Sequence, residues 1–247
     1  MNQKAIYFEL SGKTAFLKKP DVNAYAYFTY NNIHKVALLG MLGAILGLEG
    51  HQKKEKKQEY PEFYSKLKGL KISVIPEATK GVFSKKIQTF NNSVGYASKE
   101  EGGNLIVREQ WLEEPKWHIY LLNDGGVESS LYQKLSSYIL NHQAIYLPYL
   151  GKNDHPAIID KPQEVPLVKN EYDHFDSLFL KEEVQLDEYE TYDGTTIYVF
   201  QEFAPYTFQP YYHFYVYKEM LLTNRMVLNM NELSNAYAHG DRSLFFY

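Results

Sequence analysis

The sequence predicts an α+β protein, on three observations. Stretches with period-two alternation recur along the chain, two stretches carry apolar residues at helical spacing, and in the first half these occur in the order β-α-β-hairpin-β-α-β. At 247 residues, 45% of them hydrophobic, the chain can fill one large domain or two small ones.

The stretch "KAIYFELSG", Lys4 to Gly12, alternates around Ile6, Phe8 and Leu10 and predicts a half-buried opening strand. Next, "KTAFLKKPDVNAYAYFTYNN" carries a turn at Pro20–Asp21 and the aromatic run Tyr25, Tyr27, Phe28 and Tyr30, and reads as loop or irregular strand. Asn31 and Asn32 then predict the cap of a helix with apolar residues at Val36, Leu38, Leu39, Leu42, Ile45 and Leu46. The apolar run Val36–Leu48 is 13 residues, short of the roughly 20 that span a bilayer. Gly40, Gly43 and Gly47 share one face of that helix and predict a close approach, either a tight helix-on-sheet contact or a ligand, since each costs roughly 1 kcal/mol relative to alanine. The polar stretch "HQKKEKKQEYPEFYSKLKG", His51 to Gly69, with four lysines in its first seven residues, is an exposed loop or helix.

"GLKISVIPE" predicts a strand, Gly81 to Gly126 a long hairpin with its tip at "SKEEGG" and a further strand at "KWHIYLL". Val127, Leu131, Leu135, Tyr138 and Ile139 lie at helical spacing, and "QAIYLPYLG" reads as the closing strand. Together these predict a ferredoxin-like N-terminal domain over residues 1–155, with a hairpin inserted at about 80–113. Residues 156–247 predict a β-rich C-terminal region: Pro162 and Pro166 punctuate it, tyrosine-rich alternation fills "ETYDGTTIYVFQEF" and "QPYYHFYVYKEM", and Asp193–Gly194 signals a hairpin. "LLTNRMVLNMNEL" is either one more strand or a short helix.

The absence of cysteine excludes disulfides and thiolate zinc sites and fits a reducing cytosol. "MNQKAIYFEL" has neither a basic n-region nor a small-residue cleavage site, so a cytoplasmic protein is expected. The net charge of −4 is unevenly spread: residues 1–120 hold 18 Lys+Arg against 12 Asp+Glu, and residues 121–247 hold 8 against 18. A basic first half can face phosphates while the acidic half faces a protein; equally, both can be solvated surfaces. Aromatics make up 16%, with 23 tyrosines, residues suited to surfaces that bind.

No phosphate loop, dinucleotide fingerprint, H-E-x-x-H or nucleophile elbow occurs, and the eight histidines show no ligand spacing, so neither a cofactor nor a metal is expected. His34 and Lys35 stand at the start of the glycine-bearing helix, where backbone N–H groups and the helix dipole favour a phosphate; equally, the local sequence fits a solvated helix start with no ligand. The hairpin arms interleave Lys85, Lys86 and Arg108 with Phe83, Phe90, Tyr96 and Trp111, the residue types on which single-stranded RNA stacks; the same rings also suit hairpin packing. Lys13, Lys18, Lys19 and Tyr30 complete the candidate RNA-binding set. The alternative is a metal-independent endoribonuclease using Lys116 and His118 with Tyr30, a set whose convergence the spacing does not establish.

The opening strand, "FTYNNIHKVALLGMLGAILGLEG" and "YLPYLGKNDHPA" resemble the Cas five family, the CRISPR-associated subunit of type I Cascade, with a type I-B flavour. The resemblance covers most of residues 1–160 and thins beyond. It implies an RRM-like ferredoxin fold with a hairpin thumb, and a subunit that holds the 5′ handle of the crRNA and docks the large subunit and the first backbone subunit. Target DNA near the protospacer-adjacent motif is a further possible partner. Type I-C members also process precursor RNA with a tyrosine, lysine and histidine set, of which this sequence has only Lys116 and His118, with Trp117 between them, in a comparable position. In type I-B systems a separate Cas six nuclease makes the cut, so the expected role is binding without catalysis.

Overall fold

The computed structural model describes residues 3–21, 25–51 and 58–247. Six residues of the polar stretch His51–Gly69 lie outside them; within them Glu62–Leu67 is a helix, and the expectation of exposure is corrected, because Phe63, Tyr64 and Leu67 on it are buried in the core. The fold is sheet-rich α+β. Its main sheet has six strands in the order β14-β13-β7-β1-β6-β3, formed by β1 (Gln3–Ser11), β3 (Lys71–Pro76), β6 (Lys116–Leu122), β7 (Ile158–Lys169), β13 (Ala236–His239) and β14 (Arg242–Phe245). Strand β1 runs antiparallel to both neighbours, with Phe8 opposite Ile119 of β6 and Ala5 opposite Val165 of β7.

The expectation of a half-buried β1 is corrected, because both of its faces are covered. Ile6, Phe8 and Leu10 pack into the main core, while Ala5 and Tyr7 join Tyr120, Leu122, Val165, Leu167, Leu244 and Phe246 in a second core on the opposite face. That second core exists because the sheet curls. Ile72 of β3 and Tyr247, beyond β14, exchange both backbone hydrogen bonds at 3.0 Å, so the two edges of the sheet meet.

The closing strand is also corrected: "QAIYLPYLG" forms no strand, and Tyr146 and Leu147 within it are exposed. The strand beside β1 is β7, despite its two prolines. Tyr7 faces Gln163 and Glu9 faces Asp160, so a bulge takes up the extra residue around Lys161 and Pro162, with Lys161 at φ 48°. The Pro166 carbonyl accepts from His239 Nδ1 at 3.2 Å, which places that side of Pro166 away from β1; its missing N–H removes no bond to β1. Strands on both sides of residue 155 therefore share the main sheet.

Helix α1 (Lys35–Leu46) is apolar all round, and nine of its twelve residues are buried, as expected of a helix packed on several sides. Its cap is His34 rather than Asn31 or Asn32, and its glycine face meets a helix rather than a sheet. A Cβ on Gly43 would stand 2.5 Å from the Phe63 Cβ of α2 (Glu62–Leu67), whereas one on Gly40 would make an ordinary 3.8 Å contact. Gly47 serves a different end, closing α1 in the left-handed conformation at φ 76°. Helix α3 (Ser129–Leu140) buries Leu135 and Ile139 against the same side of the sheet.

The inserted hairpin is present as β4 (Lys85–Asn91) and β5 (Ile106–Glu113), in register from Lys85–Leu112 to Asn91–Ile106, with β2 (Thr14–Ala15) added beside β5. Beyond β7 come β8 (Phe179–Leu180), β9 (Leu186–Thr191), β10 (Val199–Phe208), β11 (Tyr215–Thr223) and β12 (Arg225–Val227), in a β10-β11-β8 sheet and a β12-β9 pair. Asp193–Gly194 does turn the chain, with Gly194 at φ 66°, but the strands it separates pair elsewhere. Asn224 Nδ2 donates to Asp193 Oδ1, Thr195 Oγ1 and the Thr196 carbonyl, which ties that loop to the β11–β12 corner. "LLTNRMVLNMNEL" holds both expected forms: the end of β11, β12 and a 3-10 turn at Met230–Glu232. No helix among the described residues is long and apolar enough to cross a membrane.

Candidate nucleic-acid interface

The site is assembled where the chain leaves β2, runs along β5 and enters α1. Asn31 is the hub of that junction. Its side chain donates to the Gly81 carbonyl at 2.6 Å and accepts from Phe83 N at 3.3 Å and Lys85 Nζ at 2.7 Å, while its own backbone N–H donates to the Glu202 carboxylate at 3.1 Å. Asn32 accepts from Trp117 Nε1 at 3.0 Å. Two buried amides thus fix the root of the hairpin and the start of α1 to the main sheet, and this use explains why neither caps the helix.

His34 caps it instead. Its Nδ1 accepts from Ala37 N at 3.2 Å, satisfying one of the free N–H groups of the first turn. The ring is 6% exposed, edge-on to Tyr30 and Tyr215, and burial pulls its pKa down to about 3. It forms part of the wall of a cleft of about 630 Å³ that runs along α1 past Ala37, Gly40 and Ala44. Phe16, Phe63, Tyr149, Phe208 and Tyr215 supply aromatic surface, and Lys18 and Lys152 supply cations. Lys152 Nζ bonds both Glu109 oxygens at 3.1 Å and lies 5.6 Å from the Phe16 ring centre; Trp111 Nε1 donates to the same carboxylate at 2.9 Å.

Outside the cleft, cations sit over the rings of the aromatic run. Lys18 Nζ is 3.9 Å from the Tyr27 ring centre and the Arg108 guanidinium is 4.5 Å from that of Tyr25, which is 79% exposed. Tyr27 is held on β5 by backbone bonds to Arg108 and Gln110. A second cleft, of about 420 Å³, is lined by Lys19, Asp21, Tyr30, Phe203 and Tyr217.

The expected residues are therefore partly gathered and partly dispersed. Lys18 and His34 line the main cleft, Lys19 and Tyr30 the second, and Arg108 lies on the strip. Lys86 pairs with Glu113 at 3.7 Å, and Tyr96, 78% exposed, belongs to the loop at the hairpin tip. Lys13 is exposed in the turn between β1 and β2. Lys35 does not accompany His34. It is buried with Nζ 4.9 Å from the Tyr206 ring centre, and burial, with Lys71 nearby, holds its pKa at about 8. Tyr30 is buried, and burial together with its hydrogen bond to Tyr217 pushes its hydroxyl well above the usual range. Sequence reasoning missed Lys152, Tyr149, Phe208 and Tyr215. Tyr149 and Lys152 stand inside the quoted "YLPYLGKNDHPA" and Tyr215 inside the tyrosine-rich "QPYYHFYVYKEM", while Phe208 carried no signal.

The set Tyr30, Lys116 and His118 is not assembled. Successive β6 residues point to opposite faces, so Trp117 packs in the core that contains Tyr30 while Lys116 and His118 face the other way. There His118 Nδ1 bonds the Tyr7 hydroxyl at 2.9 Å and Nε2 lies 3.1 Å from Glu77; Lys116 bonds Glu77 at 2.9 Å and Glu9 at 3.1 Å. Burial opposes ionisation of Glu9, but Lys161 and Lys116 outweigh it and hold the carboxyl at about 2. Among the described residues, no group of three or more His, Asp or Glu side chains is placed to hold a metal.

No protein-family model matches the chain, and no curated protein matches its sequence. Among solved structures, the fold is similar to a chain of a CRISPR RNA-guided surveillance complex, with TM-score 0.52 and 12% identity over 92% of each chain. It is also similar to a CRISPR protein from Archaeoglobus fulgidus, with TM-score 0.50 and 12% identity over 98% of this chain and 97% of that one. At such identities the likeness is one of fold.

Proposed function

We propose that this chain is an RNA-binding subunit of a CRISPR effector complex of the Cascade kind, which grips the 5′ handle of the guide RNA without cutting it. The observation that carries this reading is the aromatic cleft on α1, with Lys18 and Lys152 at its wall and a strip of stacked cations and tyrosines beside it. The fold likeness to a chain of an RNA-guided surveillance complex supports it. The order β7-β1-β6-β3, with α1 and α3 as crossovers, supports a ferredoxin-like unit. The RNA is not held on the sheet as in an open RRM, since Tyr7 and Tyr120 on the face away from α1 are buried in the second core. In this reading, the exposed Ile145, Tyr146 and Leu147 and the exposed Tyr212 and Phe214 meet the large and backbone subunits.

Co-expression with a CRISPR repeat and the neighbouring subunits, then ultraviolet crosslinking and sequencing of the bound RNA, tests this. The expected result is a shared 5′ segment crosslinked to this chain, with affinity falling as salt rises. Crosslinks confined to other subunits would refute it. Metal-independent cleavage has one observation in its favour, the meeting of Tyr7, Lys116 and His118. Tyr7 and His118 are buried, however, and Lys116 is held by two carboxylates. Incubating the chain with repeat RNA in EDTA should leave the RNA whole; a discrete cut would restore that reading.

A further inference from the structure

We propose that the cleft on α1 takes one unstacked base of the bound RNA, and that the His34 imidazole is the hydrogen-bond donor that engages it. The inference rests on the RNA-binding reading and specifies how that site works.

The tautomer of His34 follows from the fold. Ala37 N donates to Nδ1, so Nδ1 must carry the lone pair and the proton of the neutral ring sits on Nε2. Burial keeps the ring neutral at any ordinary pH. The Nε2–H has no hydrogen-bond partner among the described residues, although the residue is 6% exposed and forms part of the cleft wall. That donor faces the cleft, so an acceptor brought in can take its hydrogen bond, and a bond made out of water is stronger than the one to solvent that it replaces.

The rest of the wall says what carries the acceptor. The volume, about 630 Å³, is in the range of small-ligand sites. Phe16, Tyr149 and Phe208 offer flat apolar surface to a planar ring, while Lys18 offers charge to a phosphate and Lys152 is already paired with Glu109 and Asp154. Glu109 is already committed to Lys152 and Trp111, whereas the His34 donor stands in the wall beside the tyrosines Tyr149 and Tyr215. Lys18 also belongs to the strip, with its ammonium over Tyr27. A strand lying along the strip therefore passes the mouth of the cleft and can turn one base into it. Lys19, the next residue, lines the second cleft, so the backbone between them separates two stations along one path.

The test uses the complex assembled on guide RNA that carries a photoreactive base analogue at one 5′ position at a time, with crosslinks mapped by mass spectrometry. One position should crosslink to peptides holding Phe16, Tyr149 or Phe208, and its neighbours to the strip. His34→Asn keeps an acceptor for Ala37 N, asparagine being a good cap, but removes the Nε2 donor. It should weaken RNA binding about tenfold, the worth of one buried hydrogen bond, and leave the salt dependence unchanged. Lys18→Ala should weaken binding and lower the salt slope by roughly 0.7, one phosphate on a single strand. Ala37→Leu, which fills the cleft without touching the cap bond, should abolish the single crosslink and serves where His34→Asn fails to fold. Crosslinks only elsewhere on this chain, with RNA affinity unchanged in the variants, would overturn the cleft assignment and leave the RNA-binding reading standing. No crosslink to this chain at any position would remove both. Saturation of the cleft by free AMP or UMP in the absence of RNA would overturn the proposal in favour of a mononucleotide site.

Discussion

Replacing Asn31 with alanine tests whether one buried amide joins the hairpin to the body of the protein. Asn31 is 3% exposed and its side chain makes three hydrogen bonds, to the Gly81 carbonyl, Phe83 N and Lys85 Nζ. Neutral bonds contribute about 1 kcal/mol each, and stranding the partners costs about 1–3 kcal/mol apiece where they are buried. Gly81 and Phe83 are buried and Lys85 is exposed, so the first two carry most of the effect. The expected loss for Asn31→Ala is about 3–4 kcal/mol, or about 10 °C in Tm for a chain of this size. Asn31→Asp keeps the acceptor for Phe83 and Lys85 but faces the Gly81 carbonyl with a carboxylate, and should fall between the wild type and alanine. Urea unfolding reads the loss, and hydrogen exchange locates it: amides of β4 should lose protection before those of β1. A loss below about 1 kcal/mol for Asn31→Ala, or uniform loss of protection across both strands, would refute the argument.

Gly43→Ala should destabilise by about 1–2 kcal/mol, because the new Cβ would stand 2.5 Å from Phe63 Cβ and the overpacking exceeds the gain in helix propensity; Gly40→Ala, at 3.8 Å, should be neutral or stabilising. Thermal melts of the pair separate the two positions. The unfolded His34 binds a proton near pH 6.5 and the folded one only near 3, so stability present above 6.5 is lost as pH falls, by about 2 kcal/mol between pH 7 and 5. Urea titrations should show that slope in the wild type and lack His34's share of it in His34→Asn; parallel curves would count against the buried neutral imidazole. Lys35→Met should stabilise at pH 7 by about 1–3 kcal/mol, since it relieves a buried charge. Wild-type stability should also rise between pH 8 and 10.5, where the unfolded lysine still holds its proton, and the variant's should lack that rise.

Much of the first half was legible locally. Helices α1 and α3, strands β3 and β6 and the β4–β5 hairpin were all announced by periodicity, which depends only on neighbours along the chain. The fourth strand beside β1 was misplaced because "YLPYLG" is apolar but packs little, whereas β7 hides two prolines in a bulge and an outward-facing position. The cap of α1 was misassigned because Asn31 and Asn32, good caps by type, were taken by Gly81 and Trp117 from distant parts of the chain. The site was half legible: Lys18 and His34 stood out by residue type, while Phe208, Tyr215 and Lys152 reach the cleft from elements no local pattern connects to α1.

By itself the sequence determined the basic character of the first half, the abundance of aromatics along the chain, the presence of a hairpin and the unusual glycine-bearing helix. Only the tertiary structure decided that the sheet closes through Ile72 and Tyr247, burying the face an RRM would leave open, and that Lys35 turns inward while His34 meets a cleft. The physical reason is range: strand and helix periods are set by adjacent residues, whereas a cleft is what remains unfilled once remote segments have packed.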